Sequence, residues 1–157
     1  MPKNDLFGDA ATGEELSLGY LMHWGGRLMR RLADRRLKAL GLSSAHLPVV
    51  NALIRHDELS QKALTVIAEI EQPTMAATLA RMERDAIVQR RPDPDDKRSA
   101  LYSLTPATRK KVAALRQAVE AVNREALRGL PAEQRPLFRR QLQQMILALQ
   151  QRLDGEP

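Results

Sequence analysis

Residues able to do chemistry gather in two stretches of this chain, Glu71-Gln72-Pro73-Thr74 continuing through Ala77, Thr78 and Arg81, and Arg90 through Ser99. Thr74, Ala77, Thr78 and Arg81 recur at spacings of three and four, so on a helix they share one face, opposite Met75, Leu79, Met82 and Ala86. Amide, hydroxyl, methyl and guanidinium groups on such a face suit the base edges of a DNA major groove. Gln72 could read an adenine, Ala77 could touch a thymine methyl, and Thr74 and Thr78 could bond bases or phosphates. In the second stretch Lys97 and Arg98 follow a run of aspartates, with Arg90 and Arg91 upstream. Cations on a projecting turn suit the minor groove, where the potential is most negative, and Asp96 can hold Arg98 through a charge-assisted hydrogen bond. Arg109, Lys110 and Lys111 form a third basic group, placed for phosphate contacts. Two plainer readings stand beside these: an amphipathic surface helix is polar outside, and a basic turn can simply be solvated.

Catalysis finds less to work with. The 157 residues include no cysteine, which excludes disulfides, thiolate metal sites and a cysteine nucleophile. His23, His46 and His56 stand apart, and neither a His-Glu-x-x-His pair nor a glycine-rich phosphate loop occurs. Asp95 and Asp96 adjoin Lys97 and Arg98, where ion pairing outweighs acid–base work. We therefore expect no enzyme, no catalytic residues, no metal and no cofactor. A net charge of +6 makes a polyanion the first partner to consider.

The elements that must position these groups are mostly helical. Hydrophobic residues make up 43% of the chain and aromatics only 3%, so aliphatic side chains must build the core. Leu18, Leu21, Gly25, Leu28 and Leu32 lie on one stripe of a helix expected over 14–40 and stopped by Gly41. Ser43 or Ser44 caps a second helix with Leu47, Val50, Leu53 and Ile54 inward. A third spans 60–67, with Ser60 as cap and Ala63, Leu64 and Ile67 inward. A fourth runs from Pro73 to about Asp85. Residues 87–91 and 101–104 are β-prone, and the proline- and aspartate-rich segment between them makes a hairpin. Thr105 and Pro106 open a long fifth helix with a seam of Val112, Leu115, Val119, Val122 and Ala126, broken at Gly129 and Pro131. A sixth carries Leu142, Met145 or Ile146, Leu149 and Leu153.

The first and last two helices each carry an apolar stripe beyond the compact middle, which predicts a homodimer over a monomeric bundle. The expected class is mainly α with a small β-hairpin wing. It divides into a tail (1–13), a helical dimerisation region (14–40 and 105–153) and a winged helix-turn-helix lobe (41–104). No apolar run approaches the roughly 20 residues that span a bilayer, and residues 1–13 lack the apolar core of a signal peptide. The expected location is cytoplasmic, with no membrane partner.

The ordered series Gly41-Leu42-Ser43, Leu59-Ser60-Gln61-Lys62-Ala63-Leu64, Glu71-Gln72-Pro73-Thr74, Leu79 to Asp85, Ile87 to Arg91, Asp95-Asp96-Lys97-Arg98-Ser99 and Leu104-Thr105 resembles the winged-helix domain of the MarR family. The Glu-Gln-Pro element resembles its SlyA branch. The resemblance implies a homodimer that reads a pseudo-palindromic operator in double-stranded DNA and regulates transcription. It implies Arg98 in the minor groove with Asp96 as its brace. Members often bind small aromatic or phenolic acids, which makes Trp24, Arg27 and His46 candidate ligand residues and a ligand-relieved repressor the expected role. Two departures stand out: Ala86 replaces the glycine many members carry before the first wing strand, and Ala77 replaces a longer base-reading side chain. The alternative is a winged-helix protein-interaction module without specific DNA binding.

Overall fold

The structure, a computed structural model, describes residues 16–155; the expected tail at 1–13 and the expected helix start at Glu14 lie outside them. Two compact units, Met1–Val119 and Glu120–Pro157, divide within a long helix.

In the first unit, helix α1 (Leu18–Leu37) begins where Ser17 Oγ accepts the Tyr20 N–H at 3.3 Å. A 3₁₀ turn at Lys38–Leu40 extends it to Gly41, whose φ of 71° ends it. There the Gly41 N–H bonds Lys38 O (3.0 Å) and the Leu42 N–H bonds Leu37 O (3.2 Å), the paired bonds of a Schellman motif. Ser43 caps a further 3₁₀ turn, Ser44–His46, rather than α2 (Leu47–His56) directly. Ser60 Oγ accepts the Ala63 N–H at 3.2 Å and starts α3 (Gln61–Ala68). Helix α4 covers Gln72–Arg84 with Pro73 in its first turn, where a missing N–H costs nothing.

Strands β1 (Glu58–Ser60), β2 (Val88–Pro92) and β3 (Ala100–Leu104) form an antiparallel sheet ordered β1-β3-β2. The register sets Arg90 opposite Tyr102 and Glu58 opposite Ser103. The hairpin matches expectation; β1 does not, because three residues are too short to show alternation. Thr105 Oγ1 accepts the Thr108 N–H (3.2 Å) and donates to Ala86 O (2.9 Å), fastening the start of α5 (Pro106–Ala126) to the end of α4.

Leu37, Val49, Val50, Leu53, Leu64, Met75, Leu79, Met82, Val88 and Leu104 are almost fully buried and make the core of this unit. Helix α2 packs on α3 and β3, and α4 on α3 and β2. Two expectations of inward-facing residues fail. Ile67 is exposed, since the eight-residue α3 buries only Leu64 completely. Ala86 is exposed as well, because it lies beyond the helix in a left-handed turn (φ 54°) instead of continuing the buried face of α4.

The second unit holds the last turns of α5, 3₁₀ turns at Leu127–Gly129 and Ala132–Gln134, and α6 (Arg135–Asp154). Gly129 and Pro131 interrupt the helices as expected. Helix α6 buries no residue within this chain. Among the described residues no single helix is long and apolar enough to cross a membrane.

Candidate nucleic-acid interface

Helix α4 turns Pro73, Thr74, Ala77 and Arg81 outward and keeps Met75, Leu79 and Met82 buried, with Gln72 exposed at its first turn. Thr78 departs from the expected outward face, being only 5% exposed. At about 100° per residue it lies about 60° from Met75, inside the buried arc, whereas Thr74 and Arg81 lie about 100° and about 120° away. Thr78 therefore packs on the core side of α4, with only a small part of it open to solvent.

The wing tip is built from its own aspartates. Asp93 Oδ1 accepts the Asp95 N–H (3.0 Å), and Asp96 Oδ1 accepts the Arg98 N–H (2.9 Å). Short polar side chains that bond the backbone two residues on fix tight turns in this way. Asp96 thus braces Arg98 through its backbone, not through the guanidinium the sequence suggested. Lys97 and Arg98 are exposed and form no ion pair among the described residues.

Other cations have partners within the lobe. Arg91 forks onto Glu58, with Nε donating to Oε1 at 3.0 Å and Nη2 donating to Oε2, and ties β2 to β1. That hydrogen bonding holds the Glu58 carboxyl below the usual carboxylate range and raises the Arg91 guanidinium. Arg90 pairs singly with Glu83 of α4, Nε to Oε1 at 3.1 Å. The expected group of free cations opening α5 resolves differently. Arg109 donates to Asp57 Oδ1 (3.0 Å) and Asp57 O (3.3 Å), and Lys111 donates to Leu40 O (2.8 Å), so both fasten α5 to the turns around it. Lys110 remains exposed.

Between the starts of α3 and α4 and the wing lies an open cleft of about 370 Å³, where Gln61, Lys62, Gln72, Arg90, Arg98 and Tyr102 meet. Gln61, Lys62 and Tyr102 were not singled out from sequence. Only the pairing of β1 with β3, which brings the start of α3 beside the wing, reveals them. Lys62, Arg90 and Arg98 make the cleft cationic, and the exposed face of α4 adjoins it: an arrangement suited to a phosphate backbone flanked by grooves.

The proposed ligand residues do not converge. Trp24 lies against Tyr20, with ring centroids 6.1 Å apart, and Arg27 is exposed one turn further on. His46 is engaged elsewhere, its Nδ1 accepting the Ser43 N–H at 3.2 Å while the Ser43 side chain accepts the His46 N–H. Neighbouring Ser44 donates to Asp34 Oδ1 at 2.7 Å, and Asp34 lies ten residues, about 15 Å of helix rise, beyond Trp24. Burial holds the His46 imidazole below its ordinary value; Asp85 and Asp34 pull it up and Arg81 pushes it down.

Residues 40–99 match the family described as the MarR family. A Bacillus subtilis (strain 168) protein described as an uncharacterized HTH-type transcriptional regulator, YdgJ, is 30% identical over 98 residues, 62% of this chain and 60% of its own length. The match thus spans less than two thirds of that relative. Among solved structures, a mutant MarR from E. coli complexed with operator DNA superposes with a TM-score of 0.75 at 22% identity, covering 90% of this chain and 99% of that one. A MarR transcriptional regulator from Methanosarcina mazei Go1 gives 0.76 at 19% identity, covering 85% and 96%. Residues 40–99 are therefore similar to the MarR family, and the chain has the fold of the MarR structures.

Proposed function

We propose that this chain is a DNA-binding transcriptional regulator, not an enzyme, acting in the cytoplasm as a homodimer on a pseudo-palindromic operator. The observation that carries this reading is the shared face of α4 and the wing: outward Thr74, Ala77 and Arg81 beside a cleft holding Lys62, Arg90 and Arg98. Helix α4 is the recognition helix and enters the major groove with Gln72, Pro73 and Thr74 leading; Arg98 reaches the flanking minor groove, and Lys97 and Lys110 meet phosphates. The structurally related MarR bound to operator DNA supports the same use of the fold. The dimer is supported by apolar side chains open to solvent on α1 (Leu18, Leu21, Leu28) and α6 (Leu149, Leu153), which a second copy of the chain would cover.

Within the family, Glu71-Gln72-Pro73 favours the SlyA branch. The regulator is a repressor relieved by a small aromatic acid. In support, Tyr20, Trp24 and Arg27 recur at spacings of four and three on α1 and offer two rings and a cation to an aromatic carboxylate. His46 is no part of that site. Selection of duplexes from a random-sequence pool tests the reading. It should enrich an inverted repeat whose half-sites are about one helical turn, roughly 34 Å, apart; enrichment of nothing would favour a protein-interaction module instead.

A further inference from the structure

Three cations share the cleft, but not on equal terms. Lys62 and Arg98 have no ion-pair partner among the described residues, whereas Arg90 already faces a carboxylate, Glu83 in the last turns of α4. The pair differs from its neighbour in sequence. Arg91 and Glu58 interlock by two parallel hydrogen bonds, a fork that holds the sheet together. Arg90 and Glu83 meet through one nitrogen and one oxygen at 3.1 Å, and their side chains are 58% and 40% exposed. An exposed, single-pronged pair is weak and easily exchanged. Its place matters too, since a duplex that accepts α4 in one groove and the wing in the next must run its phosphate backbone across this cleft.

We propose that Glu83 is a positioning residue that holds Arg90 in reserve for DNA, so that binding exchanges the Glu83 carboxylate for a backbone phosphate. The proposal rests on the DNA-binding reading above and specifies how that site is tuned. Glu83 keeps Arg90 aimed into the cleft in the free protein. In the complex it remains beside the phosphate as an uncompensated anion, so Arg90 contributes less than a full charge to the release of counterions. The neutral, similarly shaped Glu83→Gln removes that opposition without removing the side chain.

The test is a double-mutant cycle on a duplex selected from the random pool by the unaltered protein. Affinity is measured against salt for the unaltered protein, Glu83→Gln, Arg90→Gln and the double variant. Glu83→Gln should bind more tightly at low salt and steepen the log–log salt slope by up to about 0.9 for each lobe engaged, so that from about 50 to 200 mM salt it loses up to roughly threefold more affinity per lobe. In the Arg90→Gln background the same change should have no effect on the slope. Two results overturn the proposal: an unchanged slope in Glu83→Gln, or an equal change with and without Arg90, which would make Glu83 a diffuse repulsive charge. If the unaltered protein shows no salt-dependent DNA binding, the parent reading fails and this one with it. Thermal unfolding of all four proteins checks that each is folded.

Discussion

Replacing Ala86 with glycine should stabilise this protein, although it removes a side chain. Helix α4 ends in a Schellman motif: the Ala86 N–H bonds Glu83 O (3.0 Å), the Ile87 N–H bonds Met82 O (2.8 Å), and buried Ile87 supplies the accompanying apolar contact. The residue between must be left-handed, and Ala86 has a φ of 54°. A Cβ in that conformation costs roughly 1–2 kcal/mol, while glycine's extra freedom in the unfolded chain returns about 0.4–1 kcal/mol. The Ala86 methyl is exposed, so no packing is lost. The net expectation is a gain of about 0.5–1 kcal/mol, or about 1–4 °C in Tm. Gly41 closes the same motif after α1, and a Cβ built there meets only Lys111 Nζ at 3.9 Å. Gly41→Ala should therefore cost a similar net amount, about 0.5–1 kcal/mol, for conformational reasons alone. Chemical denaturation of the three proteins reads both values, with unchanged m confirming that stability changed and compactness did not. A neutral or destabilising Ala86→Gly would refute the reasoning, since it would mean that the turn does not hold Ala86 left-handed.

Further outcomes follow from the same geometry. Because burial lowers the His46 pKa from 6.5, the folded state favours the neutral ring that accepts from Ser43. The associated stability is complete above about pH 6.5 and drains away as pH falls from there towards the lower folded value. Tm measured from pH 8 to 5 should fall less steeply in His46→Gln than in the unaltered protein; parallel curves would exclude His46 as the titrating group. Thr78→Ala, which removes a largely buried methyl group, should lower stability by about 0.8 kcal/mol and leave DNA affinity within about twofold, whereas Thr74→Ala should weaken binding several-fold at unchanged Tm. Binding assays on the two variants separate a residue packed on the core side of α4 from a base-reading one, and equal losses of affinity would contradict that assignment of Thr78.

Sequence made the helical lobe and its wing legible because strong local signals coincide there. Gly41 with its positive φ, Ser60 as a cap, Pro73 and Pro106 in first turns, and a proline–aspartate turn each fix a boundary. What escaped needed the third dimension. Thr78 lies near the edge between the two faces of α4, where spacings of three and four do not decide exposure and packing against Met75 and Met82 does. Arg109 and Lys111 read as free cations until the fold places Asp57 and the Leu40 carbonyl beside them. His46 read as a ligand candidate, because nothing in a lone histidine announces that it reaches back to cap Ser43. The cleft was invisible for a like reason: β1 brings Gln61 and Lys62 to the wing through pairing that three residues cannot advertise.

The most direct test of the central claim is the affinity of the unaltered protein and of Arg98→Ala for the pool-selected duplex, titrated against salt and unrelated competitor DNA. The account predicts tight, competitor-resistant binding with a steep log–log salt dependence. Arg98→Ala should weaken it at least about tenfold and flatten the slope by about 0.9 per lobe if a phosphate contact is lost with the groove contact. Binding that is weak, erased by competitor and indifferent to Arg98 would contradict it, leaving a winged helix whose partner is not DNA.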